Sequence, residues 1–200
     1  MIHPDFLPEL LLEITTVLLW PVIGVLLVAL AATGVYMGGL VSEWVARCRR
    51  CGVIRKLVDS LKTNPEKRIY PTDIPHFPGP IAQARAELSA SAHLARNKVI
   101  DDVQLHADHK LIPLELASRL GPMFGLAGTL IPLGPALRSL SSGNVQQLAS
   151  NLVVAFGTTV LGLIIGGTCF AIKAIRKNWY DRDINNLEFI TEHLKNNEKS

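Results

Sequence analysis

Charge is what this sequence lacks over long stretches. No Asp, Glu, Lys or Arg occurs between Glu13 and Glu43, between Arg119 and Arg138, or between Arg138 and Lys173, gaps of 29, 18 and 34 residues in a chain of 200. Three such stretches would leave a soluble protein of this length too little chain to bury them, which excludes an ordinary globular domain. A helix rising about 1.5 Å per residue crosses a hydrocarbon core of about 30 Å in roughly 20 apolar residues. The first and third gaps are ample. The second is lengthened by Leu111 to Leu116, which carry one charge, Glu115. Cysteine is scarce too, with three in the chain. Cys48 and Cys51 form a Cys-Arg-Arg-Cys run, but a structural zinc site takes four ligands and no second pair exists. A redox pair activated by the neighbouring arginines stands beside the blander reading of two juxtamembrane thiols, and Cys169 reads as a small packing residue. A one-signed charge run is also missing. The net charge is +3, with basic and acidic residues interspersed, so nothing points to a nucleic-acid partner.

What is present is a biased placement of the basic residues. The segment before the first span has Asp5, Glu9 and Glu13 and no Lys or Arg. The stretch from Glu43 to Arg119 carries 13 of the 20 basic residues and the tail from Lys173 carries six. The positive-inside rule then expects the N-terminus outside and the large loop and tail in the cytoplasm. The acidic flank and the length of the first apolar run argue for a retained helix and against a cleaved signal peptide. The expected class is an all-α membrane protein with three transmembrane helices and long cytoplasmic helical extensions, in the inner (cytoplasmic) membrane. Its expected segments are an external N-terminus (1–13), helix one (14–41), a cytoplasmic helical loop (42–111), helix two (112–138), a short external loop (139–150), helix three (151–173) and a cytoplasmic helical tail (174–200). Trp20 and Trp44 lie near the two interfaces of the first span, where indoles are favoured.

Glu43 to Leu61 is expected to continue the first helix past the membrane. Pro65, Pro71, Pro75, Pro78 and Pro80 mark an irregular turnaround. From Ile81 on, Ala84, Leu88, Ala95, Val99 and Val103 recur at helical spacing. His93, His106 and His109, with Asp102 and Asp108, lack a third ligand at suitable spacing and read as solvated helix residues, so neither metal nor cofactor is expected.

The chemistry is carried by the second and third spans. Pro122, Gly125, Thr129, Pro132 and Ala136 follow one another at spacings of three and four, one small helical face opposite Phe124, Leu126, Leu130, Ile131, Leu133 and Leu137. In span three, Asn151, Ala155, Thr158, Gly162, Gly166 and Cys169 share a second small face, with Thr159 beside Thr158. Gly162 and Gly166 form a small-xxx-small pair. Two explanations compete for these faces. One is tight helix packing, with each Thr bonded to its own helix. The other is a narrow polar path lined by Thr129, Thr158 and Thr159, whose hydroxyls both donate and accept hydrogen bonds.

The run Gly-Pro-Met-Phe-Gly-Leu-Ala-Gly-Thr-Leu (Gly121 to Leu130) resembles the P-L-L-G-L-L-G-T-V signature of the MotA/TolQ/ExbB proton-channel family. Val153 to Leu163, with Ala155, Thr158, Thr159 and Gly162, resembles that family's A-L-x-T-T-x-x-G-L signature. The order of the motifs and the short connection between them are also similar. Three spans match the TolQ and ExbB members, while Val154 stands where those members often carry Glu. The resemblance implies a membrane ring, typically a pentamer of this chain. Such a ring encloses the single spans of a dimeric partner similar to ExbD, TolR or MotB. It implies that the partner supplies an aspartate that takes up and releases protons, that Thr129 and Thr159 match the family threonines beside it, and that ion flow is converted into mechanical work. The three charge-free stretches contain no carboxylate and no histidine, whereas a proton relay in a membrane usually needs one. Pro122, Gly125, Pro132, Gly162 and Gly166 are expected to kink and pack the helices. The alternative is a structural scaffold that uses the small faces for packing alone. A membrane enzyme would have only Cys48, Cys51 and the weak histidine group to work with, and none is expected.

Overall fold

In the computed structural model, which describes residues 6–63 and 96–199, the described residues form three long α-helices: α1 (Phe6–Thr63), α2 (Arg96–Ser141) and α3 (Val145–Lys199). The described residues contain no strand. The expected proline turnaround and the helix start at Ile81 fall outside them. All three helices are long and apolar enough to cross a membrane, over Glu13–Arg49, Lys98–Ser141 and Val145–His193. In hydrocarbon each backbone N–H and C=O must be satisfied within the segment, which makes a helix the default for such runs. The helices also run on where the chain becomes charged, α1 to Thr63 and α3 to Lys199. Pro21 lies inside α1, and Pro113, Pro122, Pro132 and Pro135 lie inside α2 without ending it.

The α2–α3 connection is short because its local chemistry closes it. Gly143 takes the left-handed conformation (φ 75°) that a side chain disfavours. The amides of Ser142, Gly143 and Asn144 donate to the carbonyls of Arg138, Leu140 and Ser139 at 3.2, 3.0 and 2.8 Å, a left-handed end that satisfies the last carbonyls of α2. Asn144 then caps α3, its Oδ1 accepting from the amide of Gln147 at 3.0 Å.

The chain divides into two compact units. The first comprises Met1–Tyr36 and Leu114–Ala171. Its interior includes Val22, Leu26 and Thr33 of α1, Ala136 of α2, and Ala155, Thr158, Ile165 and Cys169 of α3. Thr33 donates to Ala29 O at 2.7 Å, and its hydroxyl lies 3.5 Å from Cys169 Sγ. Cys169 is a fully buried packing residue.

The second unit comprises Met37–Pro113 and Ile172–Ser200. Val58 and Leu61 of α1, Val99, Ile100, Val103, Ala107 and Leu111 of α2, and Ile172, Ile184, Leu187 and Ile190 of α3 form its apolar interior. A full burial of one such side chain stabilises by about 1.5–3 kcal/mol. Beside this interior, α1 and α3 are joined by a buried polar clasp. Arg47 donates to Asp183 Oδ2 at 2.6 Å and to Glu43 Oε1 at 3.2 Å. Glu43 Oε2 accepts from Tyr180 Oη at 3.3 Å and lies 3.4 Å from Arg176 Nε. The Arg47 guanidinium also stands 5.1 Å from the Trp179 ring centroid and 5.8 Å from that of Tyr180, within cation–π range. Two acids and two arginines thus neutralise one another away from water. Gly39 belongs to the same face: a Cβ there would meet Arg176 Nη2 at 3.0 Å.

Candidate functional site

In the first unit, α2 and α3 approach closely along a seam of small residues. A Cβ on Gly162 would lie 2.5 Å from Gly121 O and 2.7 Å from Gly125 Cα. One on Gly166 would lie 2.7 Å from the Pro122 ring, and one on Gly128 would lie 2.6 Å from Thr158 Oγ1. The contacts pair Gly121 with Gly162 and Gly166, Gly125 with Thr158, Thr159 and Gly162, and Gly128 with Thr158. As the number rises on α2 it falls on α3, so the helices are antiparallel, as the short connection requires. Backbones this close gain dispersion contacts that lipid tails cannot supply, and this is how helices associate where no hydrophobic effect acts between them.

The residues singled out in the sequence are not equivalent here. Pro122, Gly125, Gly162 and Gly166 all take part in the seam. Pro132 and Ala136 are buried further along α2. Gly121 and Gly128 also make seam contacts, although the spacing argument left them off the small face of span two. The buried stripe of α2 is Gly121, Gly125, Gly128, Pro132 and Ala136, at spacings of four, three, four and four, turned by one position from the face the sequence spacing picked out, so Pro122 and Thr129 lie at its edge. Thr158 is buried, and its hydroxyl donates to Ala155 O of its own helix at 2.8 Å. Thr129 is partly exposed and donates to Leu126 O at 2.7 Å. Thr159 differs from both. It is partly exposed, and its hydroxyl crosses the seam to Gly125 O at 3.3 Å. Gly125 has no side chain to shield that carbonyl, so the hydroxyl of α3 can reach the backbone of α2.

On both helices the flanks of the seam are apolar and exposed on the isolated chain. Leu126, Leu130, Leu133 and Leu137 lie on α2, and Phe156, Val160 and Leu163 on α3. Val154 is exposed as well. Among the described residues, no group of three or more His, Cys, Asp or Glu side chains could hold a metal ion. His106, His109 and Cys48 are exposed.

The fold and the seam define an all-helical membrane protein whose second and third spans pack through glycine and threonine with no ionisable group between them. The MotA/TolQ/ExbB proton channel family model matches residues 80–188, more than half of the chain, and the chain belongs to that family. No curated protein and no solved structure matches it.

Proposed function

We propose that this chain is the pore-forming ring subunit of an ion-driven, proton-conducting complex, a homo-oligomer (a pentamer) around the single spans of an Asp-bearing partner of the ExbD/TolR/MotB kind. The complex sits in the inner membrane with the N-terminus outside and the helical extensions and C-terminus in the cytoplasm. It converts ion flow into mechanical work. The observation that carries the proposal is Thr159, a partly exposed hydroxyl fixed across the seam by Gly125 O in a wall that has no acid of its own. With its one proton donated to Gly125 O, this hydroxyl keeps its lone pairs free to accept a hydrogen bond from water or from a partner's protonated carboxyl group, and being held from α2 it keeps a fixed orientation. Thr129 offers a second hydroxyl on the same helix pair. The proton-binding acid comes from the partner.

The purified chain should run as a ring of several copies in native mass spectrometry, and a monomer alone would remove the proposal's foundation. Co-expressed with its partner, it should leak protons, and Thr159→Val should cut that leak at least several-fold.

A second reading, a structural scaffold, is favoured by Thr158. Its hydroxyl is spent on its own helix and enclosed by the seam, so this member of the threonine trio serves packing. Under the scaffold reading Thr129→Val and Thr159→Val leave function unchanged.

A further inference from the structure

Asn151 sits at the outer end of the small face of α3, and neither packing nor the threonine path uses it. Its side-chain nitrogen Nδ2 is buried and has no hydrogen-bond partner. A buried amide donor left unpaired is costly, and such a group in a native fold calls for an explanation, a bound water among them.

The seam register, carried outward, gives the stretch of α2 at its level. Gly128 of α2 meets Thr158 of α3. Seven residues, about two helical turns, carry Thr158 back to Asn151 and, on the antiparallel neighbour, carry Gly128 forward to Pro135. Proline has no N–H, so Pro135 leaves Ile131 O without the helical amide it would otherwise accept, and Pro132 does the same to Gly128 O. Carried two turns outward, this register puts the unpaired donor of α3 at the level of the stretch of α2 where Pro132 and Pro135 supply no amide to Gly128 O and Ile131 O. The inner half is different. At Gly162 a Cβ would fall 2.5 Å from Gly121 O and 2.7 Å from Gly125 Cα, and at Gly166 it would fall 2.7 Å from the Pro122 ring, so neither position has room for even a methyl group, and Gly121 and Gly125 are tight at 3.0 and 3.1 Å. Nothing the size of water enters there.

We propose that Asn151 and the carbonyls released by Pro132 and Pro135 form a water-binding site in the outer half of the α2–α3 seam, with Asn151 as the positioning residue. A buried water makes two to four hydrogen bonds, and an amide donor facing two free carbonyls meets that need. The water accepts from Asn151 Nδ2 and donates to Ile131 O or Gly128 O. The glycine contacts close the seam inward of it. A role for this water in ion entry rests on the channel reading above; the site itself does not.

The test separates the two. Radiolytic hydroxyl footprinting of the full chain in nanodiscs reads water held next to a side chain. Pro132 and Pro135 should be oxidised in the wild type, and Asn151→Leu, close in size but without the donor, should reduce that oxidation at least threefold. Leu133, exposed on the flank, is the control and should not change. Equal oxidation in both proteins, or none in the wild type, overturns the site. Should Asn151→Leu fail to fold, Pro135→Ala takes its place, since it restores the amide to Ile131 O and should lower oxidation at Pro132. In the complex with the partner, Asn151→Leu should lower proton leak less than Thr159→Val does. Footprinting protection with an unchanged leak keeps the water and overturns its part in ion entry. A leak unchanged by Thr159→Val as well overturns the channel reading and leaves the site standing.

Discussion

Gly162 occupies a place that no other residue can share. A methyl group there would meet Gly121 O at 2.5 Å and Gly125 N at 3.0 Å, both backbone atoms that cannot rotate aside. Gly162→Ala must push α2 and α3 apart, and overpacking of this kind costs about 1–3 kcal/mol. Gly157 lies on the same helix with nothing within 4 Å of a built Cβ. Alanine there gains about 1 kcal/mol of helix propensity over glycine. In detergent, Gly162→Ala should melt several degrees below the wild type and Gly157→Ala at or above it. Equal melting of the two would mean that the seam is not a close contact. At the same scale the three threonines divide by partner. Thr158→Val should cost stability, because the buried site is shaped for it, with little effect on conduction beyond that loss. Thr159→Val should do the reverse.

Much of the seam was legible in the sequence. The spacing of Ala155, Thr158, Gly162, Gly166 and Cys169 marks one helical face of α3, and all five are buried. On α2 spacing succeeded less well, since Gly121 and Gly128 join the contact and Thr129 is left partly exposed. Periodicity admits two adjacent stripes here, one through Pro122 and Thr129 and one through Gly121 and Gly128, and the partner helix decides which of them is buried. The bond from Thr159 to Gly125 O could not be read at all, because it joins positions far apart in the chain.

At the scale of the element, the long helices are held by different means along their length. The α1–α3 clasp shows this. In the sequence Glu43, Arg47, Arg176 and Asp183 are ordinary members of a charged, positive-inside segment. The one local signal is the spacing of Glu43 and Arg47, which suits a helical ion pair. In the structure the Arg47, Glu43 and Asp183 side chains are only 10–12 % exposed. Breaking a buried pair by removing one partner is costly, about 3–5 kcal/mol, because the other charge is left uncompensated, whereas removing both costs much less. Arg47→Met should therefore destabilise α1 against α3 strongly, and so should Asp183→Leu. The double variant should recover a large part of the loss. The check is a double-mutant cycle on thermal unfolding. Strict additivity would show that the two side chains do not meet. Tyr180→Phe removes one hydrogen bond to Glu43 and should cost about 1 kcal/mol, measured the same way.

At the scale of the whole molecule, the decisive property is again an absence. The stretches 14–42, 120–137 and 139–172 contain no Asp, Glu, Lys, Arg or His. The membrane potential supplies about 2.3 kcal/mol per charge per 100 mV, but a proton moves along that gradient only if some group at membrane depth takes it up and gives it back. Thr129 and Thr159 donate and accept hydrogen bonds without changing charge, so they can guide a proton but not store one. Reconstituted alone in vesicles under an imposed potential, the chain should give a proton flux no greater than protein-free vesicles. Reconstituted with a single-span partner bearing a membrane aspartate, it should conduct, and changing that aspartate to Asn should return the flux to baseline while the complex stays assembled. Flux from the chain alone would mean that water threads the helices unaided, and the division of labour between a threonine wall and a borrowed acid would have to be abandoned.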